Sequence, residues 1–353
     1  MSEPMAEEPV LGADTESSTY RADFDTVPLI DFGGMLQGGA QSKARVAAAL
    51  REACTNVGFF YITNHGVPLE LVASMFAQCP RFFDLPLEQK MQLHVKKSSH
   101  YIGYIAMRDE NANPLASKGD LHEAFDFIAE DVKVGSELWE GDFRKAGNQW
   151  PAGLPGFHEV MTRYSIAMRQ LSWRLFCAFA LALGLPEDYF APMSSTPMTL
   201  IRILHYPSQP GPFDEARMGT GAHTDHECFT ILCQDTVPAL QVQNRRGQWI
   251  DAPPIAGSFV VNIGDLMARW TNGLFASTPH RVANLSGQGR HSIPCFVGAN
   301  ADAVIEALPS CVGPDSPAKF SPVVAGDYVS SLIYHQFNDN QTLHPLKRRA
   351  GVQ

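Results

Sequence analysis

The sequence predicts a mixed α+β protein: an N-terminal helical part wrapped around a C-terminal β core of sandwich or jelly-roll type. Two observations predict it. Phe157, Val160, Tyr164, Met168, Leu171, Leu175 and Phe179 recur with a 3.6-residue period, and Gly184 ends the stretch. From Met198 the texture changes to short apolar runs separated by turn signals, the spacing of many short strands.

In chain order, residues 1–25 are rich in Glu, Ser, Thr and Ala without periodicity and are expected to form a disordered tail. Val27-Pro28-Leu29-Ile30-Asp31-Phe32 reads as a first strand. Ser42 to Val57 reads as a helix, with Val46, Leu50 and Cys54 at helical spacing and Gly58 as its stop. Phe59-Phe60-Tyr61-Ile62 is a strand ended by Asn64-His65-Gly66, and a helix follows from Leu69 to Phe83. Residues 86–155 mix glycines, prolines, charges and aromatics. They read as loops, with strand around Tyr101–Tyr104 and Ala124–Ile128. After the long helix, strands are expected at Thr199–Tyr206, Cys228–Gln234, Leu240–Gln243, Ser258–Ile263 and Ile293–Gly298, with turns at Asn244–Gly247 and Asn272-Gly273. The chain therefore divides into a tail (1–25), an N-terminal region with a covering segment (26–155), and the long helix with the β core (156–353).

Composition narrows the function classes. Hydrophobic residues at 45 % and charged residues at 18 % are those of an ordinary globular protein. With 27 Lys+Arg against 37 Asp+Glu the formal charge is -10, which repels phosphate backbones and argues against general nucleic-acid binding. The seven cysteines are scattered, odd in number and without a CxxC pair, so free thiols in a reducing compartment are expected. The acidic N-terminus shows no secretory pattern, and no apolar run approaches the ~20 residues a membrane span needs. A cytoplasmic location is the resulting expectation; a monomer or weak homo-oligomer is expected because this fold class usually needs no partner chain.

The chemistry centres on Gly221-Ala222-His223-Thr224-Asp225. On a strand, residues i and i+2 share a face, so the His223 imidazole and the Asp225 carboxylate can reach one metal ion. His280, in Ser277-Thr278-Pro279-His280-Arg281-Val282, is the best candidate for a third ligand. Two histidines and one carboxylate on one face of an ion leave the other face open, which suits Fe(II) with an organic co-substrate and O₂. Beyond it, Arg290-His291-Ser292 sets a guanidinium and a hydroxyl on one strand face, a grip for the distal carboxylate of a 2-oxo diacid. The phenol of Tyr206 could join them.

Here the sequence resembles the Fe(II)/2-oxoglutarate-dependent dioxygenases of the isopenicillin N synthase-like family, over nearly the whole expected ordered chain. Val27–Asp31 looks like that family's opening and Gly58–Gly66 like its first strand and turn. His223-Thr224-Asp225, Val261-Asn262-Ile263-Gly264-Asp265, Thr271-Asn272-Gly273, Ser277–Val282 and Arg290-His291-Ser292 follow in the family's order. The resemblance implies a double-stranded β-helix core, Fe(II) on His223, Asp225 and His280, and 2-oxoglutarate on Arg290, Ser292 and Tyr206. It implies oxidation of a small molecule by hydroxylation, desaturation or cyclisation, with release of succinate and CO₂ and with ascorbate as an auxiliary reductant. Many relatives carry Asn where this chain has Leu204, so one polar co-substrate contact would be missing or supplied by Arg202 or His205. That departure keeps open a same-fold oxidase that uses no 2-oxoglutarate, of the isopenicillin N synthase or aminocyclopropanecarboxylate oxidase kind, or an ethylene-forming type. A catalytically silent metal- or ligand-binding protein is a third reading, disfavoured by the intact set of ligands.

Candidate substrate contacts are Tyr101, Tyr104, Phe125, Phe127, Arg202, His226 and Phe296, with Arg202 suited to an anionic substrate. His226 follows Asp225 directly and is expected on the opposite strand face. His65 is expected to serve its turn, and His291 to face away from the metal. Asn262 and Asp265 read as turn and hydrogen-bonding positions rather than ligands.

Overall fold

The computed structural model of the protein describes residues 23–99, 101–112, 119–129, 147–209, 214 and 217–337. Most of the segment expected as a tail, 1–22, lies outside the described residues. Its last three residues are held against the core. Phe24 is buried with Phe59 and Tyr61, its carbonyl accepts from Asn244 Nδ2 at 3.0 Å, and Asp23 and Asp25 both pair with Arg246.

The N-terminal part runs β1 (Leu29–Asp31), α1 (Gly33–Gln37), α2 (Ala40–Asn56), β2 (Phe59–Thr63), α3 (Leu69–Phe83), α4 (Leu87–Gln92), β3 (Tyr104–Ile105) and β4 (Glu123–Ile128). Gly58 closes α2 in the left-handed region (φ +74°), and a Cβ there would lie 2.1 Å from the Ala276 carbonyl oxygen, so only glycine fits. The short helix α4 was not expected within the 86–155 segment. Leu-Glu-Gln-Lys-Met-Gln is a run of good helix formers behind Pro86, too brief to outweigh the turn-rich residues around it.

The helix α5 (Phe157–Ala182) leads into β5 (Thr199–Tyr206), β6 (Thr220–His223), β7 (Phe229–Gln234), β8 (Leu240–Gln243), β9 (Trp249–Asp251) and β10 (Phe259–Ile263). Then come α6 (Asp265–Trp270), β11 (His280–Val282), β12 (Arg290–Val297), β13 (Val304–Ile305), β14 (Val323–Val324) and α7 (Ala325–Phe337). All six residues of α6 are buried, including Asp265 and Arg269, so no polar face gives it a period to read. β12 begins three residues before the expected Ile293. Arg290, His291 and Ser292 continue its ladder opposite Tyr206, His205 and Leu204, which an apolar-run criterion misses.

Eight strands form one sheet in the order β1-β2-β10-β7-β12-β5-β4-β3, and β6-β11-β8-β9 form a second. Residues of both sheets line one cavity, the jelly-roll arrangement with its interior left open for a ligand. α5 packs against α2 and α3 behind the larger sheet. Phe176 and Phe179 meet Phe229 edge-on, and Phe157 joins Phe82 and Phe125. The largest hydrophobic cluster runs from Ile30 to Val329 and takes in residues on both sides of the expected boundary at 155/156. Among the described residues no helix is long and apolar enough to cross a membrane.

All seven cysteines are unpaired, six of them buried and Cys311 partly so. Burial pushes Cys177 up to about 11 and Cys233 up to about 12, which starves both of reactive thiolate. A thiol reagent should therefore label at most Cys311 in the native protein and all seven cysteines in guanidinium chloride. Mass spectrometry showing two or more native adducts would contradict this packing.

Candidate active site

The antiparallel register of β6 and β11 sets His280 directly opposite His223, and the two ring centroids are 4.3 Å apart. Asp225 lies just past the end of β6. Its Oδ1 is 3.6 Å from Nε2 of each histidine, and the three ligand atoms lie within 4.8 Å of one another. His223 Nδ1 donates to the Gly221 carbonyl at 2.8 Å and His280 Nδ1 to the Thr278 carbonyl at 3.2 Å. Those bonds orient both rings with Nε2 toward Asp225. Burial opposes charge on His223 and on Asp225, yet the attraction of their neighbours wins: His223 is held above its ordinary value and Asp225 well below the carboxylate range. The donor set fits a divalent metal, which would replace the protons that the cluster otherwise shares.

The loop carrying Asp225 is fixed from β10. Asn262 Nδ2 and Thr230 Oγ1 both donate to Asp225 Oδ2. The amides of Gly264, Asp265 and Leu266 donate to the carbonyls of Cys228, Asp225 and Glu227. A Cβ on Gly264 would lie 2.2 Å from the Glu227 carbonyl oxygen, so glycine permits this approach. The Asp265 carboxylate accepts from Ser277 Oγ at 2.6 Å and Thr224 Oγ1 at 3.3 Å, tying both histidine-bearing segments together.

At another part of the cavity Arg290 is 0 % exposed. Its Nε donates to the Val237 carbonyl at 3.2 Å and its Nη2 to Gln234 Oε1 at 3.0 Å, while Nη1 is buried without a partner. Among the described residues no carboxylate pairs with it. Its Cζ sits 4.9 Å from the centre of the Tyr206 ring, and Ser292 lies buried two residues along the same face of β12. A buried guanidinium lacking an anion fits a carboxylate-bearing co-substrate. The Tyr206 hydroxyl is 3.4 Å from Thr220 Oγ1.

Four of the seven expected substrate contacts, Tyr101, Arg202, His226 and Phe296, line the cavity; Tyr104, Phe125 and Phe127 do not. Strand alternation explains the correction. Phe125 and Phe127 share the face of β4 that meets the helices, and the Tyr104 hydroxyl donates to Glu123 at 2.7 Å behind the sheet. Asp126, of opposite parity, faces the cavity. His226 also departs from expectation: β6 has ended at His223, alternation no longer applies, and the ring reaches the cavity wall. His205 points behind the sheet to Glu123 at 2.9 Å and stacks on His291, so it does not stand in for the polar group absent at Leu204. His65 Nδ1 accepts from the Val67 amide within its turn.

Arg202 is committed inside the protein and is not open to an anionic substrate. Its Nε and Nη2 donate to Asp126 at 2.6 and 2.8 Å, and its Nη1 and Nη2 to Glu110 at 2.9 and 3.0 Å. Burial disfavours ionised Glu110, but Arg202 and His122 outweigh it and bring its carboxyl down to about 2. Asp120 accepts from the amides of Ala112 and Gly221. Glu227 is pushed up to about 7, chiefly by burial. Sequence reasoning missed Glu110, Asp120, His122, Asp126 and Glu227. Only Asp126, a charge inside the apolar run Ala124–Ile128, carried a local signal.

Two family models match the chain. One, described as the N-terminal region of non-haem dioxygenase in morphine synthesis, covers residues 27–153, and the 2OG-Fe(II) oxygenase superfamily covers 197–299. The chain is 37 % identical over 308 residues to the 2-oxoglutarate-Fe(II) type oxidoreductase hxnY of Emericella nidulans, covering 86 % of this chain and 88 % of that protein. It is 33 % identical over 331 residues to the homoarginine-6-hydroxylase 2-ODD-233 of Oryza sativa subsp. japonica, covering 90 % and 99 %. Among solved structures, a full-length Neurospora crassa protein in complex with alpha-KG and thymine superposes with a TM-score of 0.76 at 29 % identity, covering 87 % of this chain and 96 % of that one.

Replacing Arg202 by Met would leave Glu110 and Asp126 buried without their cation. Breaking such a pair costs about 3–5 kcal/mol, so Arg202→Met should lower unfolding stability by that order in a urea titration. A loss below about 1 kcal/mol, the scale of an exposed ion pair, would show that the pairing contributes little.

Proposed function

The chain belongs to the 2-oxoglutarate–Fe(II) oxygenase superfamily, and from that membership we propose that His223, Asp225 and His280 hold its iron while Arg290 anchors the co-substrate. The enzyme is a non-haem Fe(II)- and 2-oxoglutarate-dependent oxygenase acting on a small molecule. The relatives named for 2-oxoglutarate, and neighbours bound to it, leave the 2-oxoglutarate-free reading without support. The observation that carries the residue assignment is the buried, anion-less Arg290 guanidinium in the same cavity as the three converging ligand atoms.

Bound iron, 2-oxoglutarate and O₂ supply the oxidising chemistry, in which decarboxylation to succinate and CO₂ is coupled to oxidation of a substrate C–H bond. The protein's part is placement. Nδ1–H bonds to Gly221 and Thr278 present both Nε2 lone pairs. Thr230 and Asn262 hold the outer oxygen of Asp225 and leave Oδ1 for the metal. Arg290 takes the distal carboxylate, with Ser292 and Tyr206 beside it, in a pocket whose apolar wall includes Leu204, Leu232 and Pro294. The reaction outcome we assign is hydroxylation, supported by the relatives named as hydroxylases. The unpaired cysteines support a reducing, cytoplasmic setting.

Anaerobic addition of 2-oxoglutarate to the Fe(II)-loaded protein should produce the weak charge-transfer absorption near ~500 nm that chelation of Fe(II) by a 2-oxo acid gives. A saturable band supports the assignment; iron bound without a band sinks the co-substrate reading. His223→Ala and Asp225→Ala should lose stoichiometric iron, measured by metal analysis, while staying folded by circular dichroism. Arg290→Leu should raise the apparent KM for 2-oxoglutarate roughly tenfold to a hundredfold, the worth of a charge-assisted hydrogen-bond pair, with iron content unchanged. An unchanged KM would move the anchor to another residue.

A further inference from the structure

Among the described residues, one carboxylate of the cavity receives no hydrogen bond from another residue. Glu110 and Asp126 are taken up by Arg202, Glu110 also by His122, and Asp120 by two backbone amides. Asp225 belongs to the metal cluster. Glu227 lines the same cavity two residues further along, yet among the described residues no other residue donates a hydrogen bond to it.

The charge balance points the same way. Fe(II), the 2-oxoglutarate dianion, Arg290 and Asp225 cancel one another when assembled. What remains on the wall is Glu110, Asp120, Asp126 and Glu227 against the Arg202 guanidinium and the His122 and His226 rings, of which His226 faces the Asp265 carboxylate at 3.6 Å. Arg202 has nearly all its donors engaged, so it offers an incoming anion almost nothing. Both ring nitrogens of His122 already face oxygen acceptors, Gly219 O and Glu110 Oε2. An anionic substrate would enter an excess of carboxylate, whereas a cation would neutralise it and give Glu227 the donor it lacks.

We propose that Glu227 is a specificity-determining residue of the active site, and that the substrate presents a cationic nitrogen head group to it: a guanidinium, amidinium or ammonium. The proposal rests on the assignment of iron and 2-oxoglutarate to this cavity. In it, Glu227 receives the head group by charge-assisted hydrogen bonds, and the head group's position relative to Asp225 selects which carbon of the substrate lies nearest the metal.

The test is isothermal titration of the full chain, loaded anaerobically with Fe(II) and 2-oxoglutarate. The probes with a cationic side-chain or terminal head group are L-arginine, L-homoarginine and agmatine; the controls are L-citrulline, a near-isostere of arginine whose side chain is neutral while its α-amino acid group is the same, and uncharged thymine. At least one cationic probe should bind roughly tenfold or more tighter than L-citrulline. Glu227→Gln should erase that preference, and Glu227→Asp, which keeps the charge on a shorter stem, should restore part of it. The charge-transfer band shows whether iron and 2-oxoglutarate are in place in each variant. Three results would overturn the proposal while leaving the co-substrate assignment standing, provided the band is normal. These are no binding by any cationic probe, equal binding of L-citrulline or thymine, or an unaltered preference in Glu227→Gln. A missing band in the unsubstituted enzyme would overturn the co-substrate assignment and this inference with it.

Discussion

The pairing of β11 with β6, which places His280 across from His223, is the constraint from which the rest of the site follows. Two imidazoles on facing strands converge only if the ladder is in this register, because a slip of one residue turns each side chain to the other face of the sheet. The register is held from outside the pair. β8 continues the ladder beside β11, the Thr278 hydroxyl bonds the Val57 carbonyl, and Asp265 links the segments that carry the two histidines. Asp225 is supplied by a loop, and its precision comes from β10. The Asn262 amide, the close approach at Gly264 and three backbone hydrogen bonds make that loop as well determined as a strand.

Two arginines in the same cavity, Arg290 buried and Arg202 partly so, show how partners decide a role. Arg202 and Arg290 lie on neighbouring strands and both face inward. Arg202 meets two carboxylates that neutralise it and becomes part of the wall. Arg290 meets a carbonyl, an amide oxygen and an aromatic ring, none carrying full negative charge, so its charge remains for a ligand. The residue type is the same; the difference lies in β4, which brings Asp126 alongside Arg202, and in the segment carrying Glu110. The same reasoning separates Glu227 from Glu110: among the described residues Arg202 and His122 donate to Glu110, and no other residue donates a hydrogen bond to Glu227.

Much of this was legible in the sequence because the signals are local. The period of the 157–182 helix, the turn at Asn64–Gly66 and the ordered series from His223 to Ser292 survive without knowledge of the fold. What escaped had no local signature. The fully buried α6 has no polar face, and although Arg290 and Ser292 were read on one strand face, that they continue the strand from Ile293 shows only once β5 and β7 flank it. Tyr104, Phe125 and Phe127 were reasonable pocket residues by composition. Aromatic character does not say which face of a strand turns to the helices and which to the ligand.

By itself the sequence determined the fold class, the residue types of the candidate metal site and the order in which they arrive along the chain, since hydrophobic periodicity and motif spacing are properties of neighbouring residues. Only the tertiary structure decided which charges are spent inside the protein and which are left for a ligand. Glu110 and Asp126 are separated from Arg202 by 92 and 76 residues, and nothing in the intervening sequence records that they meet. Whether a buried charge is satisfied depends on groups within a few ångströms in space, and chain connectivity does not encode that distance.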